Sequence, residues 1–143
     1  MADRTFLDTN VLVYLFDADA PGKQTRAREI LREDGGGSYL ALSTQVLQEF
    51  YVTATRKLAV PLPPETAHEA VKRFAQLHVV HIDTQMIFDA IALSQDHTVS
   101  LWDSLILRAA VDSGCQRLLT ENLHDGWNLH GLRVENPFKD LSD

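Results

Sequence analysis

Short apolar runs alternate with stretches of helical periodicity along this chain of 143 residues. The apolar runs predict four strands, at residues 6–7, 39–42, 79–82 and 118–119, and a fifth at 132–134. Helices are predicted between them, at residues 10–16, 23–33, 44–58 and 64–77, and from residues 84 and 103 onward. Strands separated by helices favour a parallel sheet covered on both faces. The predicted α/β fold is therefore a three-layer α/β/α sandwich with a central, mostly parallel sheet of four to five strands.

Capping residues and glycines mark several helix ends. Ser43 or Thr44 can cap the third helix and Thr84 the fifth, because hydroxyl oxygens accept hydrogen bonds from the first helical N–H groups. Gly114 is predicted to follow the sixth helix at C′, and the glycines at 35–37 to end the second.

No repeat or interdomain linker appears in the sequence. One domain is therefore predicted over residues 1–138, with residues 139–143 as a frayed tail.

The net charge and the single cysteine indicate which kinds of partner and which cellular compartment to expect. The net charge of −7 argues against broad non-specific attraction to nucleic acid, although carboxylates that bind a divalent cation would still permit a nucleic-acid substrate. Cys115 is the only cysteine, so no internal disulfide is possible and a reducing cytoplasm is expected. We find no signal-peptide pattern and no apolar stretch near the ~18 residues that span a bilayer, so no membrane association is expected.

An acidic residue, Asp8, directly follows the first apolar run. A buried carboxylate is costly unless it is paired, hydrogen-bonded or bound to a metal. Ligand sites of open α/β sheets lie at the carboxyl ends of strands, where Asp8 is expected. Glu49, Asp103 and Asp125 occupy comparable positions at the edges of later elements. Together the four acids suggest a divalent-metal site that folding assembles.

Each later acid also has an ordinary structural explanation. Asp103 could be a helix N-cap worth ~1 kcal/mol. Glu49 could be a solvated glutamate beside the apolar face of its helix, and Asp125 a turn residue before Gly126. Asp8 is the hardest to explain in this way. The motifs of zinc sites, phosphate-binding loops and serine nucleophiles are absent from the sequence. A phosphotransferase of the haloacid-dehalogenase type would need a second aspartate where this chain has Asn10.

Taken in order, the acidic segments resemble those of PIN-domain nucleases, and within that family the VapC-type toxin ribonucleases. The segments are Asp8-Thr9-Asn10, Gln48-Glu49-Phe50, Trp102-Asp103-Ser104, and Thr120-Glu121-Asn122 through Asp125. The resemblance extends through Gly131-Leu132 to Asn136-Pro137-Phe138. It implies a Mg²⁺- or Mn²⁺-dependent endoribonuclease that hydrolyses RNA phosphodiester bonds as the toxin of a type II toxin–antitoxin pair. The alternative is a non-catalytic PIN module that binds RNA or a protein partner.

By position, Asp8, Glu49 and Asp103 match the first three acids of the family. The fourth position is open: some relatives carry an aspartate at the place of Asn122, and others a Thr-x-Asn-x-x-Asp pattern that ends here at Asp125. We favour Asp125, with Glu121 as the alternative. An asparagine at 122 brings one less negative charge, which leaves the number of metal ions open.

Mg²⁺ prefers hard oxygen ligands and keeps several waters, so two direct carboxylates with supporting acids suffice. Asp8 and Asp103 are predicted as the direct metal ligands. Glu49 and Asp125 are predicted to orient metal-bound waters or a second ion. The candidates for positioning hydrogen bonds are Thr9, Asn10, Ser104 and Thr120.

The resemblance also implies partners: an RNA substrate, a cognate antitoxin protein and a second copy of the chain in a homodimer. The sequence adds one observation, since residues 12–16 make the first helix apolar on nearly all sides. Such a helix is buried either in the core of its own chain or against another chain.

Overall fold

A computed structural model describes residues 4–33 and 39–141. The glycines at 35–37, predicted to end the second helix, lie outside the described residues, as do the last two residues of the predicted tail. The described part contains six strands and six helices, which follow one another in this order: β1 (Thr5–Leu7), α1 (Thr9–Tyr14), α2 (Pro21–Glu33), β2 (Leu40–Ser43), α3 (Thr44–Arg56), α4 (Pro64–Phe74), β3 (His78–Val80), α5 (Thr84–His97), α6 (Leu101–Asp112), β4 (Arg117–Leu119), β5 (Asn128–Leu129) and β6 (Leu132–Glu135).

The strands form one sheet in the order β3-β2-β1-β4-β6-β5. Every neighbouring pair is parallel except β5 and β6, which are antiparallel. The predicted parallel sheet is confirmed. Because β1 lies between β2 and β4, the strand order reverses beside β1, and an open α/β sheet forms a crevice at such a point.

The sheet has one strand more than predicted, the two-residue strand β5. It pairs with β6 through a tight hairpin at His130 and Gly131. Both residues have positive φ, 51° and 86°, as a type I′ turn requires. Gly131 takes this conformation without steric cost, and histidine is among the residues found in it more often than most.

The helices cover both faces of the sheet. Crossover connections between parallel strands are right-handed, so α1 to α4, which lead outward from β1 to β3, lie on one face. The connection from β3 back to β4 places α5 and α6 on the other. Core residues extend along the chain from Phe6 to Phe138, and β1 and β2 are entirely buried. The three-layer α/β/α sandwich is thus confirmed.

Helix ends follow the predicted caps with two corrections, of which one is the start of α6: this helix begins at Leu101 with Ser100 as its N-cap, and not at Asp103. The Ser43 hydroxyl accepts a hydrogen bond from Val46 N (3.3 Å) at the start of α3. Asp83, not Thr84, caps α5, because its carboxylate accepts from Met86 N at 2.9 Å. Aspartate is as good a cap as threonine, and it precedes Thr84 by one residue. Gly114 follows α6 with φ of 76°, which confirms it at C′.

Helix α1 is buried within its own chain. Val11 and Leu12 are fully buried, and Tyr14, Leu15 and Phe16 pack against the core. The apolar character of this segment is therefore explained without a partner.

None of the described helices combines the length and the apolar character needed to cross a membrane.

Candidate active site

Asp8 lies at the carboxyl end of β1, where the strand order reverses. Its backbone N–H donates to Leu119 O of β4 at 3.1 Å, and its side chain caps α1. The next residue along β4, Thr120, is fully buried at the same edge of the sheet. The sheet topology thus places Asp8 in the crevice where ligands of open α/β sheets bind.

The Asp8 carboxylate is buried and accepts three hydrogen bonds from described residues, one on Oδ1 and two on Oδ2, which leaves one of its four acceptor sites for a further ligand. It is 3% exposed, and it accepts hydrogen bonds from Thr9 N (2.7 Å), Thr120 Oγ1 (2.7 Å) and Asn10 Nδ2 (3.4 Å). Burial raises the pKa of Asp8 to about 6, although the hydrogen bonds from Thr120 and Thr9 act in the opposite direction. The negative charges of Glu49 and Asp103 raise this pKa further.

Glu49 faces Asp8 from helix α3. Its Oε1 accepts from the Thr9 hydroxyl at 2.9 Å, and its Oε2 accepts from Gln45 Nε2 at 3.1 Å. The same Gln45 amide also donates to Trp102 O at 3.1 Å. One amide group therefore ties the helix of Glu49 to the helix that carries Asp103.

Sequence reasoning missed Gln45. It is 8% exposed and lies one turn before Glu49 on an otherwise apolar helix face, which is the signal that could have revealed it. Its Oε1 is buried without a hydrogen-bond partner among the described residues, and so is the hydroxyl of Ser104. The Ser104 hydroxyl, predicted to make a positioning hydrogen bond, thus makes none among the described residues, while the Ser104 backbone N–H donates to Ser100 O at 2.9 Å. Both unpartnered oxygens belong to residues beside the acids.

Asp103 lies in the first turn of α6, whose N-cap is Ser100. The Asp103 N–H donates to Ser100 Oγ at 3.0 Å. Burial raises the pKa of Asp103, a hydrogen bond with Ser100 lowers it, and the charge of Glu49 raises it again. Asp8, Glu49 and Asp103 therefore act on one another electrostatically although 95 residues separate the first from the last.

The three acids offer only hard oxygen donors, as a Mg²⁺ or Mn²⁺ site requires. Mutual repulsion in a partly buried pocket is relieved when a cation binds. Within residues 4–33 and 39–141, no group of three or more acidic, histidine or cysteine side chains already has a ligating arrangement. The donor chemistry and the two unpartnered oxygens fit a divalent ion, while the ligating geometry remains a prediction.

Asp125 is not brought together with the other three acids. Its Oδ1 accepts from Asn136 N at 2.8 Å, and its Oδ2 pairs with Lys139 Nζ at 3.1 Å. The hydrogen bond from Asn136, followed by that from Lys139, lowers the pKa of Asp125. Asp125 therefore anchors the loop after β4 to the segment that follows β6.

Glu121 also has its own partners. Its Oε1 accepts from the Tyr14 hydroxyl and its Oε2 pairs with Lys23 Nζ, each at 2.6 Å. Its backbone N–H donates to Asn10 Oδ1 at 3.3 Å. The carboxylate thus holds the end of β4 against α1 and α2, and both of its oxygens are occupied by this contact.

Two cavities flank the acids and meet at Asn122. The cavity beside Glu49 has a volume of about 580 Å³, and Thr9, Asn10 and Lys57 contribute to its lining. The cavity beside Asp103 has a volume of about 640 Å³ and is lined by His97, Thr98, Val99, Ser100, Asp103, Asn122, Leu123, His124 and Trp127. An extended, chain-like substrate that passed over the acids would therefore have room on both sides of them.

Residues 5–124 match the PIN domain family. A toxin–antitoxin complex from Klebsiella pneumoniae contains a similar structure, with 22% identity over 93% of this chain and 97% of that one and a TM-score of 0.69. DNA-bound VapBC from Salmonella typhimurium gives 25% identity, 95% and 99% coverage, and a TM-score of 0.66. No curated protein matches the sequence significantly.

A third similar structure is VapC20 from Mycobacterium tuberculosis, a toxin that cleaves the sarcin–ricin loop. The identity is 18%, with 80% of this chain and 86% of that chain covered and a TM-score of 0.63.

Proposed function

This chain belongs to the PIN domain family, and we propose that it is a Mg²⁺- or Mn²⁺-dependent endoribonuclease, the toxin of a type II toxin–antitoxin pair. The observation that carries the proposal is the buried Asp8 carboxylate, whose pKa is raised by burial and by the charges of Glu49 and Asp103. Strongly perturbed acids that converge in a crevice are typical of functional sites. The similar toxin–antitoxin structures support the toxin role.

We assign the direct metal ligands to Asp8 and Asp103. A Mg²⁺ or Mn²⁺ held there would supply an activated water and would offset the negative charge of the phosphodiester. Thr120 and Thr9 hold the Asp8 carboxylate in place through their hydrogen bonds. Hydrolysis joins the water oxygen to phosphorus and breaks the bond to the leaving ribose oxygen, which takes up a proton.

Glu49 has the task of orienting the attacking water. Thr9 and Gln45 each donate one hydrogen bond to a different carboxylate oxygen of Glu49, which fixes the plane of the group. Each oxygen retains a second lone pair that can accept a hydrogen from water. The side chain is only partly buried, so water can reach it.

The fourth position is best filled by Asn122. Asp125 is already paired with the cation of Lys139, and Glu121 with that of Lys23. Asn122 lines both cavities beside the acids, and its N–H donates to Thr120 Oγ1 at 3.1 Å. We therefore propose a site with three carboxylates and one neutral amide, and Asp125 as an anchor of the loop.

Metal-dependent cleavage tests the proposed function directly. The purified protein should cut RNA in the presence of Mg²⁺ or Mn²⁺, EDTA should stop cleavage, and excess Mg²⁺ should restore it. An Asp8→Asn protein purified in the same way controls for contaminating nucleases. Full activity in excess EDTA would contradict the metal mechanism. RNA binding without cleavage under any of these conditions would favour the non-catalytic alternative.

A homodimer and an antitoxin are the proposed protein partners. Because α1 is buried within the chain, its apolar residues are not the surface that supports this proposal. Exposed apolar side chains lie instead on one face of α5, where Ile87, Phe88 and Ile91 are 37%, 58% and 40% exposed. Contiguous exposed apolar patches are typical of protein interfaces.

Phe88→Glu is expected to convert the dimer to a monomer at micromolar concentration, because a buried unpaired carboxylate opposes association. Val60→Glu is the matched control, since Val60 is 78% exposed and lies on the loop between α3 and α4. Light scattering at low and high salt measures the mass. A wild-type monomer in both salts would contradict the dimer, and dissociation by salt alone would contradict its apolar origin.

A further inference from the structure

We propose that the cavity beside Asp103, here called the Trp127 cavity, accepts one unstacked nucleobase of the RNA next to the scissile phosphodiester. The cavity is lined by His97, Ser100, Asp103, His124 and Trp127 among others. The proposal rests on the proposed ribonuclease function and names the part of the substrate that this side of the site binds.

The Trp127 cavity is continuous with the acids. Asp103 contributes to its wall, and Asn122 lines both this cavity and the one beside Glu49. A phosphodiester held at the acids therefore has its neighbouring nucleotide at the mouth of the cavity. The volume of about 640 Å³ lies within the range of about 300–1,000 Å³ usual for ligand pockets.

The walls suit a neutral planar ring better than a phosphate. Three aromatic side chains line the cavity, those of His97, His124 and Trp127, and there is no lysine or arginine among its described lining residues. Asp103 adds a carboxylate, which would repel an unneutralised phosphate. The opposite cavity includes Lys57 and is the better place for the RNA backbone. Proteins bind the unstacked bases of single-stranded RNA on aromatic side chains.

Trp127 is held in place from two directions. The backbone N–H of Trp127 donates to His124 O at 3.2 Å, and its backbone carbonyl accepts from Val134 N of β6 at 2.8 Å. The indole packs partly against the core, and its centroid lies 5.6 Å from that of His97 at an interplanar angle of 59°. The backbone at Trp127 is therefore held by hydrogen bonds, and one side of the indole is covered by the core and by His97.

The link between α5 and α6 forms part of the wall of the Trp127 cavity and has an unusual backbone conformation. Thr98 has φ of 53° and ψ of 46°, a left-handed conformation that β-branched residues rarely adopt. This turn places His97, the last residue of α5, and Ser100, the cap of α6, on one cavity. Residues in such conformations cluster at ligand sites.

Kinetics with matched variants test the proposal. Trp127→Leu and His97→Ala should raise KM for RNA about tenfold to a hundredfold, the effect of losing one stacked base, with kcat changed much less. Trp127→Phe should restore most of the affinity because it keeps an aromatic face. Trp102→Leu is the control: Trp102 is 63% exposed and does not contribute to the described lining of the cavity. Unfolding curves confirm that each variant is folded, and His97→Ala carries the test if Trp127→Leu does not fold.

Fluorescence gives a readout that a purely structural role would not move. The chain has two tryptophans, so a Trp102→Phe, Asp8→Asn protein reports Trp127 alone and does not cleave its ligand. A random-sequence oligoribonucleotide should quench this fluorescence, and an abasic oligomer with the same sugar–phosphate chain should not. Equal quenching by both, or none by either, would overturn the proposal.

The two failures are distinguishable. A wild-type protein that does not cleave RNA contradicts the ribonuclease function whatever Trp127 does. A wild-type protein that cleaves RNA, with unchanged KM in both the Trp127→Leu and His97→Ala variants, contradicts only the base-binding cavity. Equal increases of KM in Trp102→Leu and Trp127→Leu would also overturn it, because they would indicate a general RNA-contacting surface.

Discussion

Asp8→Asn and Asp103→Asn are each expected to lower the rate of RNA cleavage by about a thousandfold or more. Each substitution removes a negative ligand from the proposed metal, and the loss of several kcal/mol of transition-state stabilisation corresponds to this factor. Single-turnover cleavage at saturating Mg²⁺ measures the effect. Far-ultraviolet circular dichroism should be unchanged, because an amide at position 8 can still accept the Thr9 N–H that caps α1, and α6 is capped by the Ser100 hydroxyl, which neither substitution alters.

Asp125→Asn is the matched control because it makes the same chemical change 22 residues beyond Asp103. Its carboxylate contacts Asn136 and Lys139, so we expect less than about a threefold loss of rate and a small loss of stability typical of an exposed ion pair. A loss as large as that of Asp8→Asn would restore Asp125 to the fourth catalytic position. Near wild-type cleavage by Asp8→Asn would remove Asp8 from the site.

The fold was predictable because its strands and helices are each encoded locally. Residues 6–7 and 118–119 are apolar runs, and the helices between strands carry apolar residues at regular spacing, so the sequence alone indicates a parallel sheet. What local pattern cannot give is the strand order, which places β4 beside β1 and so Thr120 beside Asp8. That contact joins residues 112 positions apart.

The elements that were missed or misplaced depend on one or two residues. Strand β5 has only two residues, too few for a periodic pattern, and its only signal is the glycine of the following turn. The cap of α5 was displaced by one residue because Asp83 and Thr84 are both good caps. In each instance the outcome depends on a short-range hydrogen bond, from Met86 N to Asp83 at the α5 cap and across the β5–β6 hairpin, and not on a periodic pattern.

Some residues of the candidate site could likewise be predicted from the sequence, and others could not. Asp8 and Asp103 lie at predicted element edges and Glu49 lies beside the apolar face of a predicted helix, and the structure brings the three within electrostatic range of one another. Asp125 and Glu121 could not be distinguished by sequence, because their partners Lys139, Lys23 and Tyr14 come from distant segments. Gln45 was hidden because a glutamine beside an apolar face has no distinctive pattern of its own.

The metal-free protein is expected to lose stability as the Asp8 carboxyl ionises. The pKa of Asp8 is raised from 3.8 to about 6 in the folded state, so between these values the folded chain binds more protons than the unfolded chain. The contribution of Asp8 to the free energy of unfolding then falls with rising pH across this window and levels off above about pH 6.5. The full effect corresponds to about 3 kcal/mol.

The difference between Asp8→Asn and wild type isolates this contribution from that of the other carboxyl groups. In EDTA the variant should have the larger free energy of unfolding, by about 2 kcal/mol above pH 6.5, and the difference should shrink toward pH 4. This difference is smaller than the full effect of the pKa shift, because the substituted amide has one acceptor oxygen fewer for the hydrogen bonds from Asn10 and Thr120. Urea unfolding at a series of pH values provides the measurement.

Mg²⁺ should reverse this loss in wild type only. A ligand that binds only the folded state at a hundredfold excess over its Kd adds about 2.7 kcal/mol, which for a domain of this size raises Tm by several degrees. Because protons compete for Asp8, the rise should be largest above pH 6.5 and should fade as the pH falls below 6. If the difference in the free energy of unfolding between Asp8→Asn and wild type did not change with pH, burial would not be raising the pKa of Asp8. An equal Mg²⁺ effect on both proteins would place the ion elsewhere.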